Sequence, residues 1–271
     1  MTNYPWDEVD GSRLFADFLK VVGIAHLGPE KYGQPELIGK KLGLLNGSAW
    51  IMLWASFFGR RFLPGVHLIN TGNEAMQLNF MEAYHNNQPT PPQSNIDAMA
   101  RYAVDLVQLA DVDAILITCS TMNRSYPQVS KAVEQYGVPV MQIDRPMMER
   151  AVNHGGKVLV VATHGPTVKS TQALLQETAN ELGKSIEFSG LHTEKPWERL
   201  ALFDIRGHNE ELATAVRAHL KEEKIDCVVF AQLSMTVFLL SYPDPQAEFG
   251  VPIFTSGQCG FEAMKDLLLS K

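Results

Sequence analysis

The stretch Cys119-Ser120-Thr121-Met122-Asn123 places a thiol, two hydroxyls and an amide directly after the aliphatic run Ala114-Ile115-Leu116-Ile117. A thiolate is both a base and a nucleophile, and its pKa follows its surroundings. At a strand end, unpaired backbone N–H groups can hold a carboxylate while the thiol moves a proton at the neighbouring carbon. The plainer reading of Cys119 is a small buried hydrophobe. Ser120 and Thr121 are candidate carboxylate binders beside it, joined by Asn46 and Ser48 in Asn46-Gly47-Ser48 and by Thr163 and Thr167 in Thr163-His164-Gly165-Pro166-Thr167. Hydroxyls and amides suit that task because they donate without adding a charge that would depress thiolate basicity. Thr163 and Thr167 also read as helix caps, since a helical stretch over 168–182 begins there, and both uses draw on the same exposed helix end. His164 is either a second acid or base titrating near neutrality or a polar loop residue.

The elements that must position these groups alternate. Short β-branched runs at 42–46, 66–70, 114–118, 138–142, 158–163, 186–189, 227–231 and 251–255 read as strands, separated by stretches of helical period such as 96–109 and 211–220. Alternation of this kind predicts an α/β fold with parallel sheets. The pattern also repeats. Asp113-Ala114-Ile115-Leu116-Ile117 leads to Gly137-Val138-Pro139-Val140, and Asp226-Cys227-Val228-Val229-Phe230 leads to Gly250-Val251-Pro252-Ile253; in both copies 25 residues separate the aspartate from the valine. Upstream, Lys41-Leu42-Gly43-Leu44-Leu45 corresponds to Lys157-Val158-Leu159-Val160-Val161.

The expectation is therefore two similar four-stranded parallel-sheet α/β domains in a pseudo-two-fold repeat, with the active site in the cleft between them. Residues 1–38 form an N-terminal extension, 39–153 the first half, whose last helix is a candidate to cross over, and 154–271 the second half. In such an arrangement Cys119 is the counterpart of Gln232, and Ser234 is its neighbour. Asn73-Glu74 either reaches the cleft or is an acidic helix start. The polar, proline-rich segment 86–94 is a lid or plain surface.

Composition narrows the function. The 271 residues are 45% hydrophobic and 20% charged, as in an ordinary globular chain, and a formal charge of -7 leaves no basic footprint for nucleic acid. Three cysteines without a CxxC pair argue against a disulfide framework and for a reducing cytoplasm. The acidic N-terminus lacks the features of a signal peptide. The apolar run 49–58, ended by Arg60-Arg61, is too short to span a membrane and reads as a buried or interfacial helix, hence either core or a subunit contact. No HExxH, GxGxxG, P-loop or GxSxG pattern occurs, so metal, nucleotide and serine-hydrolase chemistry lose their usual support. Small acids are the expected partners, with no nucleic acid and no membrane.

The Thr118-Cys119-Ser120-Thr121 turn, the segment from Val158 to Thr167 and the two-half repeat together resemble the aspartate/glutamate/hydantoin racemase superfamily over roughly residues 40–265. The resemblance implies an enzyme without a cofactor, often a homodimer or higher homo-oligomer, in which one cysteine from each half faces the substrate carbon. One thiolate removes the proton next to the carboxylate and the other thiol returns it. The superfamily also contains maleate isomerase and arylmalonate decarboxylase, the latter using a single cysteine. This chain departs from the racemase pattern in its second half, where Phe230-Ala231-Gln232-Leu233-Ser234 puts glutamine at the cysteine position. Glutamine is no general base; it can hold a substrate oxygen, and Ser234 is a weak base unless activated. Cys259, after the last strand, is the best candidate for the missing thiol, with a packing cysteine at a helix start as its alternative. Cys227 reads as core. The resulting expectation is a racemase- or isomerase-type enzyme acting next to a carboxylate of a small amino or dicarboxylic acid, with Cys119 as thiol acid/base. A single-cysteine lyase or decarboxylase and a non-catalytic small-acid-binding protein are the alternatives.

Overall fold

A computed structural model describes residues 10–22, 33–163 and 165–270. His164 and residues 1–9 and 23–32 of the N-terminal extension lie outside the described residues.

Two four-stranded sheets, parallel throughout, carry the fold. The first has the order β2-β1-β3-β4, from β1 (Lys41–Asn46), β2 (His67–Gly72), β3 (Ala114–Ile117) and β4 (Val140–Gln142). The second repeats that order as β6-β5-β7-β8, from β5 (Lys157–Ala162), β6 (Glu187–His192), β7 (Cys227–Phe230) and β8 (Ile253–Thr255). The eight expected strands are present. Their ends differ most at β2 and β6, which run on to Gly72 and His192 because each follows its central neighbour residue for residue over six pairs. The central strands are buried nearly end to end, as strands covered by helices on both faces must be, and their Leu, Val and Ile runs are the sequence consequence.

The repeat has a structural cause. Asp113 accepts the Lys41 backbone N–H at 2.7 Å and Asp226 accepts that of Lys157 at 2.7 Å, so each aspartate ties the start of β3 or β7 to the start of its central partner. Register then runs equally in both sheets: Leu45 pairs with Ile117 and Val161 with Phe230. Two residues beyond those pairs stand Cys119 and Gln232.

Around the sheets lie α1 (Gly11–Val22), α2 (Ala49–Phe62), α3 (Glu74–His85), α4 (Gln93–Ala110), α5 (Tyr126–Val133), α6 (Arg145–His154), α7 (Gly165–Glu181), α8 (Lys195–Ala201), α9 (Ile205–Glu222), α10 (Pro245–Phe249) and α11 (Ser256–Leu269). Two of them trade places. α6 follows β4 of the first sheet, yet Met147, Met148, Ala151 and Val152 pack with Val158, Val160, Cys227 and Val229 of the second. α11 follows β8 of the second sheet, yet Phe261, Met264 and Leu268 pack with Leu42, Leu44, Ala114 and Leu116 of the first. Burying Phe261 alone is worth about 2–3 kcal/mol, so this exchange binds the two sheets into one body. It also needs Gly260, where a Cβ would stand 2.6 Å from the Ile143 carbonyl oxygen.

The apolar helix α2 packs Trp54, Ala55 and Phe58 into the same cluster as α11, and among the described residues no helix is long and apolar enough to cross a membrane.

Candidate active site

The carboxyl ends of β3 and β7 face one cavity of about 430 Å³, lined by residues from both sheets' loops. Cys119 enters from the first sheet and Gln232, Leu233 and Ser234 from the second; Ser48, Gln77, Thr118, Ser120, Thr121 and Thr167 add further polar groups to the wall. Seven of the residues expected to carry substrate binding or chemistry thus meet here, together with Glu74.

Cys119 is 3% exposed. It caps the tight helical turn Ser120–Ser125. Burial pushes its thiol above the ordinary value, opposed by the Thr121 hydroxyl, 3.1 Å from Sγ, and by the backbone N–H groups of Thr121 and Met122; the nearby Asp144 adds to the rise. At rest the group is therefore a thiol, and donors already face the sulfur for the moment it becomes a thiolate. Gly47 makes room for it, since a Cβ there would lie 2.7 Å from Sγ.

Gln232 is oriented rather than loose. Its Oε1 accepts the Thr163 backbone N–H at 2.8 Å and the Thr163 hydroxyl at 3.0 Å. With the oxygen taken up, the side chain's amide N–H groups are what it can offer to an acceptor in the cavity. Thr163 touches Gln232 and is itself outside the cavity lining. Ser48 caps α2 by accepting from Ile51 N–H at 3.4 Å, and Glu74 accepts the Ala49 N–H at 2.8 Å, so the start of α2 is satisfied by its own neighbours.

Besides Thr163, two expected site residues are placed outside the cavity wall. Asn46 does not line the cavity: its amide donates to Leu44 O, Asn70 Oδ1 and Thr71 O, and its oxygen accepts from the Thr118 hydroxyl at 2.7 Å. Its polar capacity goes to clasping β1, β2 and β3, because it ends the strand that lies between the other two. Cys259 is 1% exposed in the first turns of α11, packed in the core with Met147, Met148 and Cys227 and absent from the cavity wall. Burial pushes its thiol up to about 11, with the Arg150 guanidinium pulling the other way. Cys227 lies inside β7, and burial takes it to about 12.

The cavity wall also holds residues that no local sequence pattern marks. Trp50, Ile51, Met81 and Trp197 form an apolar wall of the cavity; Trp50 and Ile51 belong to the run 49–58, which by itself reads as core or subunit contact. Behind Ser120 and Thr121 a wider cavity of about 640 Å³ opens, sharing those two residues and Thr167 with the first and reaching Thr90 and Pro91 of the proline-rich segment. In its wall Asp144 is 2% exposed, and burial raises its carboxyl to about 6. Asn123 Nδ2 donates to its Oδ2 at 2.5 Å, while the hydroxyls of Ser120 and Ser256 flank the carboxyl without reaching hydrogen-bond geometry. The signal available in the sequence was its place just after β4, at the carboxyl end of a strand of a parallel sheet. Among the described residues no three His, Cys, Asp or Glu side chains gather as a metal ion would require.

Residues 73–264 match the model of the Asp/Glu/hydantoin racemase family. The chain belongs to that family. Solved structures agree in fold. An aspartate racemase homologue from Pyrococcus horikoshii is 17% identical, covering 86% of this chain and 100% of its own, with a TM-score of 0.63. Glutamate racemase from Francisella tularensis, solved with D-glutamate, is 16% identical over 85% of this chain and 81% of its own, with a TM-score of 0.58. Allantoin racemase from Klebsiella pneumoniae is 17% identical over 86% and 88%, with a TM-score of 0.55. A comparison with curated protein sequences finds no match. Within this family of racemases, then, the cavity presents one thiol, faced by a glutamine.

Proposed function

We propose that the protein is a racemase- or isomerase-type enzyme that acts, without a cofactor, at the carbon next to a carboxylate, with Cys119 as its thiol acid/base. The observation that carries this reading is the place of Cys119: the one cysteine of the cavity wall, at the end of β3, with the Thr121 hydroxyl and two backbone N–H groups turned to its sulfur. Family membership supports the reaction class, and the relatives named for aspartate, glutamate and allantoin support a small carbonyl-bearing substrate. The substrate carboxylate is assigned to Ser120, Thr121 and Thr167, and a second oxygen to the Gln232 amide. Proton removal by a Cys119 thiolate leaves an enolate-like carbanion, whose oxygens those donors stabilise as charge grows. Reprotonation of the planar carbanion by water from the opposite face inverts the carbon, and the Cys119 thiol gives its proton up to solvent to complete the cycle.

Gln232 favours a second reading on the same scaffold. With an amide opposite the thiol and Cys259 in the core, Cys119 serves one face only. Its resting form is the thiol, suited to protonating a carbanion released by loss of carbon dioxide or another leaving group. Wild type and Cys119→Ala, incubated with small amino, hydroxy and dicarboxylic acids in deuterium oxide and followed by NMR, separate these outcomes. Cys119-dependent exchange at the carbon next to the carboxylate, with inversion, supports the first. Cys119-dependent decarboxylation or elimination supports the second. Chemistry that survives Cys119→Ala overturns both, and stoichiometric binding without turnover leaves a non-catalytic binding protein.

A further inference from the structure

The cavity in front of Cys119 has a second wall of a different kind, made by Trp50, Ile51, Met81 and Trp197. Trp50 comes from α2 and Trp197 from α8, and their rings meet edge to face with centroids 5.9 Å apart. Trp54, itself in the core, backs Trp50 at 5.0 Å in the same edge-on geometry, so the wall is built on a fixed support. Trp197 nevertheless remains 43% exposed. Among the described residues of this cavity the only charged side chain is Glu74, an anion. The nearby guanidinium groups, Arg124 and Arg145, line the wider cavity instead and are paired there with Glu177, Glu149 and Glu181.

A second carboxylate placed against this wall would meet indole rings and a thioether, with the Glu74 anion and the neutral Gln77 amide lining the same cavity, and would lose its water without gaining a cation. An aromatic substituent would be covered by apolar surface and could take the edge-on contact that the two indoles already make with each other. We propose that this chamber is a specificity pocket for an apolar, aromatic substituent on the substrate's reacting carbon, with Trp50 and Trp197 its specificity-determining residues. The assignment rests on the proposed function only in placing the substrate carboxylate at the turn after Cys119. It separates this chain from an aspartate- or glutamate-type substrate, whose side chain ends in a charge.

The test is calorimetric binding of 3-phenylpropanoate and of succinate, the same propanoate bearing a phenyl ring or a second carboxylate at its far end. Wild type is expected to bind 3-phenylpropanoate at least about tenfold more tightly than succinate, the factor that burying most of a phenyl ring supplies. Trp197→Ala should erase that preference and Trp197→Phe restore most of it. Succinate binding as tightly or more tightly, a preference that survives Trp197→Ala, or no binding of either compound overturns the pocket; Trp197→Phe serves as the reference if the alanine variant fails to fold. The two readings fail separately. A phenyl preference with no Cys119-dependent chemistry leaves the pocket and sinks the mechanism, whereas Cys119-dependent exchange of aspartate without a phenyl preference does the reverse.

Discussion

Gly47 and Cys119 touch across the strand ends so closely that a single methyl on Gly47 would stand 2.7 Å from the sulfur. No ordinary contact is that short, so Gly47→Ala must push the thiol out of position or shift the β1 end. Misplacement of a reacting group by about 1 Å costs on the order of 10²-fold in rate. Gly47→Ala is expected to lower turnover by about that factor while unfolding within about 1–2 kcal/mol of wild type, measured by deuterium exchange and urea titration. An unchanged rate would show that the sulfur does no chemistry from this position.

The cysteines should divide cleanly. Cys119→Ala should abolish exchange, whereas Cys259→Ala, which removes a core thiol from the cluster of Met147 and Met148, should cost about 1–2 kcal/mol of stability and leave turnover within about twofold, a spread that noise in stability readily produces. Loss of turnover in a folded Cys259→Ala protein would return that residue to the chemistry.

Thr163 holds Gln232 by two hydrogen bonds to one oxygen. Thr163→Val removes the hydroxyl and keeps the backbone donor, so the glutamine stays but turns more freely. The expected effect is a KM raised about three- to tenfold, the worth of one net hydrogen bond, with kcat less affected. A Gln232→Cys variant goes further, placing a thiol opposite Cys119; it is expected to show inversion at the exchanging carbon, read by chiral chromatography, in greater proportion than wild type does.

Asp144 makes a prediction about pH. Its carboxyl is raised from 3.8 to about 6 by burial, so between those values the unfolded chain has released a proton that the folded chain keeps. Stability from this group is fully present below about pH 4 and is lost as pH rises through about 6. Two units correspond to about 3 kcal/mol. Asp144→Asn should therefore be the more stable protein at pH 7–8, by up to about that amount, with the difference closing toward pH 4. Urea titrations of both proteins across this range decide it, and a constant difference would mean that the carboxyl is not held as its burial implies.

Much of this was legible from composition and spacing because the fold is built twice. Aliphatic runs that need burial on both faces, the Lys and Asp residues that open them, and equal spacing between copies are local or repeated features, and each has a direct structural cause in parallel pairing and the Asp113 and Asp226 ties. The pairing of Cys119 with Gln232 followed from that same symmetry. Asn46 and Cys259 did not, since their roles depend on neighbours distant in sequence. Asn46 is claimed by Asn70, Thr71 and Thr118 around it, and Cys259 by a helix packed into the core.

The apolar face of the site was illegible for the same reason. Trp50 and Trp197 lie 147 positions apart in the chain, and nothing in either local pattern says they meet. Their contact, the exchange of α6 and α11 between sheets, and the burial that lifts Asp144 are products of long-range packing. Strands and their repeat come from short-range periodicity that any window of the chain carries, whereas a cavity wall exists only once distant segments exclude water between them.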